Sequence, residues 1–253
     1  MTCKQPTQSN IPQLRKLWKR AFGDTEEFLD AFFRTAFSPE RSLAAFFGEK
    51  LAGMLYWFDT ELEGHKFAYI YAVATAPEFR GRGVCRELMG LTHALLADRG
   101  YAGALLVPQT EELRKMYAAF GYDDCGGIRE WFCASGGKPV EIHGIEPSEY
   151  ARLRRQLLPP GSVVQEGENL DFLQTQVRFY RGTDFLLAAQ GTPEGALFGT
   201  ELLGNAAAAP GILLSLGYPQ GTFRSPGDQK RYAMLRPLAQ DAPTPSYFGF
   251  SFD

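Results

Sequence analysis

The chain has 253 residues, of which 45% are hydrophobic and 22% charged, and its formal net charge is −3. This size allows a substantial core or two, and the small negative charge gives no reason to expect nucleic acid as a partner. An apolar run of about eighteen residues and a signal-peptide layout are both absent, so we expect neither a membrane partner nor secretion. Four cysteines without metal-ligand spacing favour a cytoplasmic location and no bound metal.

The first elements in chain order are two amphipathic helices and three strands. Apolar residues at helical spacing predict the helices around residues 14–22 and 28–37. Apolar runs separated by turn residues predict the strands at residues 43–47, 51–58 and 67–75. Asp24, Glu26 and Glu27 stand at the start of the second helix. They either attract a cationic amine or form a solvated helix start, with Asp24 and Glu27 as a capping pair.

A turn rich in arginine and glycine follows the third strand. It consists of Arg80, Gly81, Arg82, Gly83, Val84 and Cys85. An amphipathic helix runs from Val84 to about Arg99. Glycine lets the backbone come close to an anion, and the helix start offers unpaired N–H donors and a partial positive charge. The turn therefore predicts phosphate binding, and its alternative is a tight connection without a ligand. It lacks the Lys-Ser/Thr pair of a P-loop and the third glycine of a dinucleotide-binding turn.

A short apolar strand at residues 101–107 and another helix come next. Leu113, Met116, Tyr117 and Phe120 share one face of this helix, and Gly121 is suited to end it. Strand, turn, helix, strand and helix thus follow one another over about fifty residues.

Residues 80–85 and the helix that contains Tyr117 resemble the GCN5-related N-acetyltransferases (GNAT). The signature of that family is Arg or Gln, two free positions, Gly, one free position, then Gly or Ala, and the turn departs from it only at Cys85. The later helix is similar to the family's pattern of Tyr, three residues, Gly and an aromatic residue. The resemblance implies an α/β (α+β) GNAT fold with a mixed central sheet, and acetyl-CoA as cosubstrate.

The resemblance also implies which residues form the site. The cofactor-binding residues are expected to be Val73, Ala74, Thr75, Arg80, Gly81, Arg82, Gly83, Val84, Cys85 and Arg86. Tyr117 matches the tyrosine that protonates the leaving thiolate, a role compatible with that of a buried core aromatic. The expected reaction is direct attack of a primary amine on acetyl-CoA in a ternary complex. The acceptor is a small molecule, polyamine-like or aminoglycoside-like, or a peptide amine.

The general base is open, because residues 69–75 contain no carboxylate where many relatives have a glutamate. Asp59, Glu61 and Glu63 near the preceding hairpin are candidates, acting directly or through water. Asp253 is another, since residues 247–253 read as a strand to the last residue. The enhanced-intracellular-survival type of acetyltransferase uses its C-terminus in this way; the alternative is a strand that only closes the second half. The missing carboxylate also keeps open a non-catalytic acyl-CoA-binding regulatory protein.

A Ser-Gly-Gly-Lys-Pro segment at residues 135–139 predicts a domain boundary. We expect a catalytic GNAT domain at residues 1–135 and a degenerate, smaller GNAT-like domain at residues 136–253. Phe28 is echoed by Phe172 and Gly48 by Gly191, which indicates a duplication. A second arginine-led pair of glycines is missing, so we expect one coenzyme site. The layout is loosely similar to that of the enhanced-intracellular-survival type. Nothing in the sequence indicates the oligomeric state.

Overall fold

The computed structural model describes residues 1–252 and contains seven α-helices and twelve strands within them. The helices are α1 (Ile11–Phe22), α2 (Glu26–Thr35), α3 (Val84–Asp98), α4 (Glu111–Ala118), α5 (Pro147–Leu157), α6 (Glu168–Leu173) and α7 (Ala209–Leu216). The strands are β1 (Thr2–Lys4), β2 (Ser42–Phe47), β3 (Lys50–Leu62), β4 (His65–Thr75), β5 (Gly103–Leu106), β6 (Asp123–Ala134), β7 (His143–Ile145), β8 (Arg178–Arg181), β9 (Phe185–Gly191), β10 (Leu197–Gly204), β11 (Gln220–Pro226) and β12 (Lys230–Pro237).

The chain forms two compact units, and each consists of two separate stretches of chain. Unit 1 comprises Met1–Asp123 and Met234–Pro243, and unit 2 comprises Asp124–Ala233 and the chain from Thr244 on. The division at residue 135 into a catalytic and a degenerate domain stays a prediction about function. The return of residues 234–243 to unit 1 had no local pattern that could have predicted it. None of the helices within residues 1–252 is long and apolar enough to span a bilayer.

Unit 1 is built on a mixed sheet in the strand order β1-β2-β3-β4-β5-β12. The β4–β5 pair is parallel, and the other pairs with a determined register are antiparallel. A parallel pair needs a crossover connection, which α3 provides between β4 and β5. The expected mixed α/β fold is therefore confirmed, and the predicted helices and strands of residues 11–120 occur in the predicted order.

Alternate residues of β4 serve two different cores of unit 1, because successive side chains of a strand point to opposite faces. Ala68 and Ile70 pack in a buried cluster with α3 and with Tyr117 of α4. Tyr69 and Tyr71 face the other way and join an aromatic cluster around Trp18 of α1. The sheet thus separates the α3 side of the unit from the α1 and α2 side.

Unit 2 has the strand order β7-β8-β9-β10-β11-β6. Its β10–β11 pair is parallel and is connected by α7. A strand, two helices, three strands, a helix and a strand follow one another here, in the same order as in the first part of unit 1. This shared order supports the duplication that the sequence predicts.

A buried ion pair stabilises the inside of unit 2. The Nε and Nη2 atoms of Arg154 donate to the two carboxylate oxygens of Glu201 at 2.8 and 3.0 Å, and both side chains are almost fully buried. The hydroxyls of Tyr150 and Tyr247 donate to the same carboxylate at 2.8 and 2.9 Å. Each carboxylate oxygen of Glu201 therefore accepts two hydrogen bonds, and a buried charge requires such partners.

The strand predicted for the chain end is wrong for the part that the structure describes. Tyr247 makes one isolated parallel bridge to Ser162, and residues 248–252 have no strand pairing. The segment is nevertheless buried in unit 2, where Phe250 is 0% and Phe252 3% exposed. Gln165 holds it through two hydrogen bonds of 2.9 Å to the backbone of Phe250. Asp253 lies outside the described residues.

Candidate active site

The glycine and arginine turn lies between β4 and α3, after a short 3-10 helix at Pro77–Phe79. Gly81 and Gly83 have φ angles of +73° and +78°, in the left-handed region that side chains rarely adopt. A Cβ atom added at either glycine would meet nothing within 4 Å. The backbone conformation therefore requires glycine here, and the turn borders open space in which an anion can bind.

The start of α3 offers backbone donors to this space. Gly83 is the N-cap residue and supplies no side-chain cap. The first bond of the helix joins the Glu87 N–H to the Gly83 carbonyl at 3.0 Å, so the amides of Val84, Cys85 and Arg86 precede the helical ladder. The Val84 side chain points into the core at 1% exposure, so only its backbone can take part in binding.

Charges around the turn are favourable for an anion. The side chains of Arg80, Arg82 and Arg86 are exposed. The one carboxylate within the short 3-10 helix, Glu78, accepts hydrogen bonds of 3.1 and 2.9 Å from Arg20. This guanidinium lowers the pKa of Glu78 to about 2 and balances its negative charge. Arg20 is 58 residues away in sequence, so local patterns gave no signal for it.

The end of β4 separates from β5 beside the turn. Tyr69, opposite Leu105, is the last residue of β4 that pairs with β5, whereas β4 continues to Thr75. Within residues 1–252, the backbone of Val73, Ala74 and Thr75 therefore has no strand partner on the β5 side. An extended ligand can pair with such an edge as an added strand does.

A bulge in β4 precedes this edge. The register between β3 and β4 shifts so that Leu55 lies opposite two residues, and Ala72 has a φ angle of +49°. A bulge turns the backbone locally and frees a peptide group from the ladder. The bulge at Ala72 thus changes the direction of the backbone just before the open edge.

Tyr117 lies in the same buried cluster as Val84 and Leu88 of α3. Its side chain is 8% exposed, and its hydroxyl has no hydrogen-bond partner in the part of the chain that the structure describes. Burial raises the pKa of the phenol above its ordinary value, so the proton stays on Tyr117 at neutral pH. Thr110 caps this helix by accepting from the Leu113 N–H at 3.2 Å.

A buried histidine and tyrosine stand behind Tyr117. His93 Nε2 lies 2.8 Å from the Tyr122 hydroxyl, and the Tyr122 and Tyr117 ring centroids are 5.8 Å apart. Burial, and then the positive charge of Arg236, lowers the pKa of His93 to about 4. His93 has no predicted role, although its four-residue spacing from Met89 on the buried face of α3 was an available signal.

The hairpin carboxylates lie away from the open edge of β4. Asp59 pairs with Ala68 in the register, whereas Met54 pairs with Ala74, so Asp59 is about 16 Å further along β3 at 3.3 Å per residue. Its carboxylate accepts from the Tyr101 hydroxyl at 2.5 Å. Glu61 and Glu63 lie still closer to the hairpin turn. These three candidates for the base are therefore not brought to the site.

The acidic start of α2 is engaged in internal contacts. The N-cap residue is Thr25, whose hydroxyl accepts from the Phe28 N–H at 3.2 Å, so the expected cap at Asp24 is wrong. Asp24 instead accepts from Trp18 Nε1 at 2.7 Å. Glu26 pairs with Arg15 and with Lys19. Across residues 1–252 no cluster of His, Cys, Asp and Glu is suited to a metal ion.

Comparisons with known proteins agree with this geometry. Residues 2–125 match the family described as acetyltransferase (GNAT) domain. The chain is similar in fold to a GCN5-related N-acetyltransferase from Kribbella flavida, with 20% identity over 93% of this chain and 70% of that chain and a TM-score of 0.73. It is also similar to a GCN5-related N-acetyltransferase from Anabaena variabilis, with 18% identity over 94% of this chain and 73% of that chain and a TM-score of 0.74. For Eis1 from Mycobacterium abscessus the identity is 13% over 94% of this chain and 74% of that chain, with a TM-score of 0.69. No curated protein sequence matches significantly.

Proposed function

Because residues 2–125 match the acetyltransferase (GNAT) domain family, we propose that the chain transfers an acetyl group from acetyl-CoA to a primary amine in a ternary complex. The observation that carries the proposal is the turn at residues 80–83. It joins the unpaired end of β4 to a 15-residue helix whose first amides lie outside the helical ladder. An extended pantetheine arm and a diphosphate fit these two features.

The cofactor-binding residues contribute two kinds of contact, backbone hydrogen bonds and positive charges. Val73, Ala74 and Thr75 pair with the pantetheine arm through their backbone at the open edge of β4. The amides of residues 81–86 surround the diphosphate, together with the partial positive charge of the start of α3. The guanidinium groups of Arg80, Arg82 and Arg86 add full positive charges. The bound coenzyme supplies the acetyl group as a reactive thioester.

Groups of this chain assist the transfer as acid, as hydrogen-bond donor to the carbonyl oxygen and as base. The lone pair of the neutral amine forms the new C–N bond as the C–S bond breaks, and the Tyr117 hydroxyl gives its proton to the departing sulfur. A backbone N–H after Ala72 donates to the carbonyl oxygen while negative charge builds on it. Freeing an alkyl amine of its proton at pH 7 costs about 4.6 kcal/mol. The base for that proton stays open: Asp253 is a candidate from the sequence alone, and the hairpin carboxylates lie about 16 Å along β3 from the open edge.

Thiol release from acetyl-CoA with a panel of amines tests the proposal. We expect Tyr117→Phe to lower kcat by about 100-fold, because a positioned acid contributes about that much. Its Kd for CoA, measured by calorimetry, should stay within about twofold, since the backbone cradle is intact. Tyr180→Phe removes one half-buried hydroxyl in unit 2 and serves as the matched control with unchanged turnover. If Asp253 is the base, Asp253→Asn should lower the rate, with the largest effect at pH values below the pKa of the amine, where the amine carries the extra proton.

The competing function is a regulatory protein that binds acyl-CoA without turnover. Its supporting observation is the missing carboxylate in residues 69–75 of β4. Binding of acetyl-CoA without thiol release for every amine tested would support it. If calorimetry detects no binding of CoA and no binding of acetyl-CoA, both functions are wrong.

A further inference from the structure

A continuous group of aromatic rings surrounds Trp18 on the α1 and α2 side of unit 1. Trp18 is 1% exposed and packs against the buried rings of Phe32 and Tyr56, and further rings around it are partly open to solvent. Ring centroids lie 5.7 Å from Trp18 for Phe22, 6.2 Å for Phe28, 6.4 Å for Phe33 and 5.7 Å for Tyr71. Phe37 extends the group at 5.1 Å from Phe33. We call Phe22, Phe28, Phe33, Phe37 and Tyr71 the aromatic surface.

The aromatic surface borders the position at which the acetyl group is expected. Tyr71 directly precedes the bulge residue Ala72 and is two residues before Val73, where the open edge of β4 begins. Its ring lies on the sheet face opposite the α3 core, in contact with Trp18 and Phe32. An amine that reaches the bulge from this side passes over the aromatic surface.

The carboxylates of Asp24 and Glu26, beside the aromatic surface, are already engaged in contacts within the chain. The carboxylate of Asp24 is bonded to Trp18 Nε1 at 2.7 Å, and that of Glu26 is paired with two basic side chains of α1. The Arg15 guanidinium lies 5.7 Å from the Phe33 ring centroid and is paired with Glu26 and Asp30. A polyamine would therefore bring its second ammonium group onto apolar rings, away from water, where these carboxylates already have a partner.

We propose that the acceptor is a primary monoamine with an apolar or aromatic body, which the aromatic surface binds, and that polyamines are poor acceptors. This inference rests on the proposed acetyl transfer and specifies its substrate class. Burial of apolar groups against the rings supplies the binding free energy, and ring contacts add to it when the amine itself is aromatic. The single amino group then lies at the bulge.

A series of amines with acetyl-CoA and the full chain tests the proposal. From ethylamine to n-pentylamine, kcat/KM should rise about fourfold for each added methylene, which is the value of its burial. The pair n-pentylamine and 1,4-diaminobutane have similar length and differ at one end, methyl against ammonium. We expect the monoamine to react more than about tenfold better, because the second ammonium loses its hydration. 2-Phenylethylamine should be at least as good as n-pentylamine.

Variants of the aromatic surface separate its role from that of the coenzyme site. Phe33→Ala and Phe37→Ala should each lower kcat/KM for n-pentylamine about tenfold and for ethylamine less than about twofold, with KM for acetyl-CoA unchanged. Leu91→Ala on α3, a leucine that is 43% exposed, is the control and should change neither value. Phe33→Leu replaces Phe33→Ala if circular dichroism shows the latter to be unfolded.

The outcomes distinguish this inference from the proposed function. A flat series, or a preference for 1,4-diaminobutane, overturns the apolar acceptor while leaving acetyl transfer in place. Equal losses for ethylamine and n-pentylamine in Phe33→Ala also overturn it. Absence of thiol release with every amine overturns the proposed transfer itself.

Discussion

Protonation of His93 should destabilise unit 1 as the pH falls below neutrality. The side chain is 6% exposed and lies 2.8 Å from the Tyr122 hydroxyl. Burial, followed by the charge of Arg236, lowers its pKa from 6.5 to about 4. In the unfolded chain the imidazole has its ordinary pKa, so between pH 6.5 and 4 the unfolded state binds more protons. The free energy of unfolding therefore falls as the pH is lowered through this range.

The magnitude follows from the two pKa values. They differ by about 2.5, and each unit of pKa difference corresponds to about 1.36 kcal/mol. The free energy of unfolding should therefore fall by about 3 kcal/mol between pH 7 and pH 4. The stabilisation is fully present above about pH 6.5. A loss of this size is a large part of the stability of an ordinary domain.

Urea unfolding at several pH values measures this effect. Trp18 and Trp57 lie in unit 1 and Trp131 in unit 2, so a Trp131→Phe background restricts tryptophan fluorescence to unit 1. The background protein is compared with the same protein carrying His93→Gln, which keeps a polar partner for Tyr122 and does not titrate. The stability difference between the two should change by about 3 kcal/mol from pH 7 to pH 4.

Carboxylates titrate in both proteins and cancel in this difference. His65→Gln, at an exposed position in β4, is the control and should follow the background protein at every pH. Parallel stability curves for the background protein and His93→Gln would refute the reasoning, since a buried neutral imidazole must then be absent.

The remaining predictions concern the turn, the acid and the buried ion pair. Gly83→Ala places an L-residue at a φ of +78°, so it should lower the free energy of unfolding by about 1–2 kcal/mol and weaken CoA binding in calorimetry. Gly90→Ala, in open space on α3, is the control and should raise the free energy of unfolding in urea by about 0.5–1 kcal/mol. Because burial raises the pKa of Tyr117, the phenol should keep its proton up to pH 10, so loss of that proton should not lower kcat in this range. A fall in kcat below pH 10 that is present in the unmodified protein and absent in Tyr117→Phe contradicts the assignment. Arg154→Met leaves Glu201 buried without a cation and should cost about 3–5 kcal/mol in urea unfolding, of which adding Glu201→Gln recovers at least half. A single-variant cost under about 1 kcal/mol contradicts this.

Short-range patterns were sufficient for the turn and for the two helices that follow it. The two glycines with positive φ, the start of the helix at Val84 and the buried face that carries Tyr117 are all decided by residues within a few positions of one another. The same holds for the two helices and three strands before the turn. Their periodicity and turn residues act locally, so the sequence predicted them in the observed order.

Predictions that needed long-range partners were less successful. The chain end was expected as a strand because it is apolar, but residues 248–252 are buried through side chains and through Gln165 without strand pairing. Asp59 was a candidate base because of its position in the chain, but the register of β3 and β4 moves it away from the open edge. Apolar character indicates burial, whereas pairing and register depend on which strand lies alongside.

The sequence by itself determined the glycine and arginine turn and the helix that carries Tyr117, since both follow from local conformation and periodicity, and the resemblance of these two segments to a known family implied the mixed α/β class. The tertiary structure decided where β4 separates from β5, which side chains surround Trp18, how Arg20 neutralises Glu78, and that residues 234–237 pair with β5. These features join residues that are far apart in the chain. Their free energies arise only when the packed strands and helices bring those residues into contact.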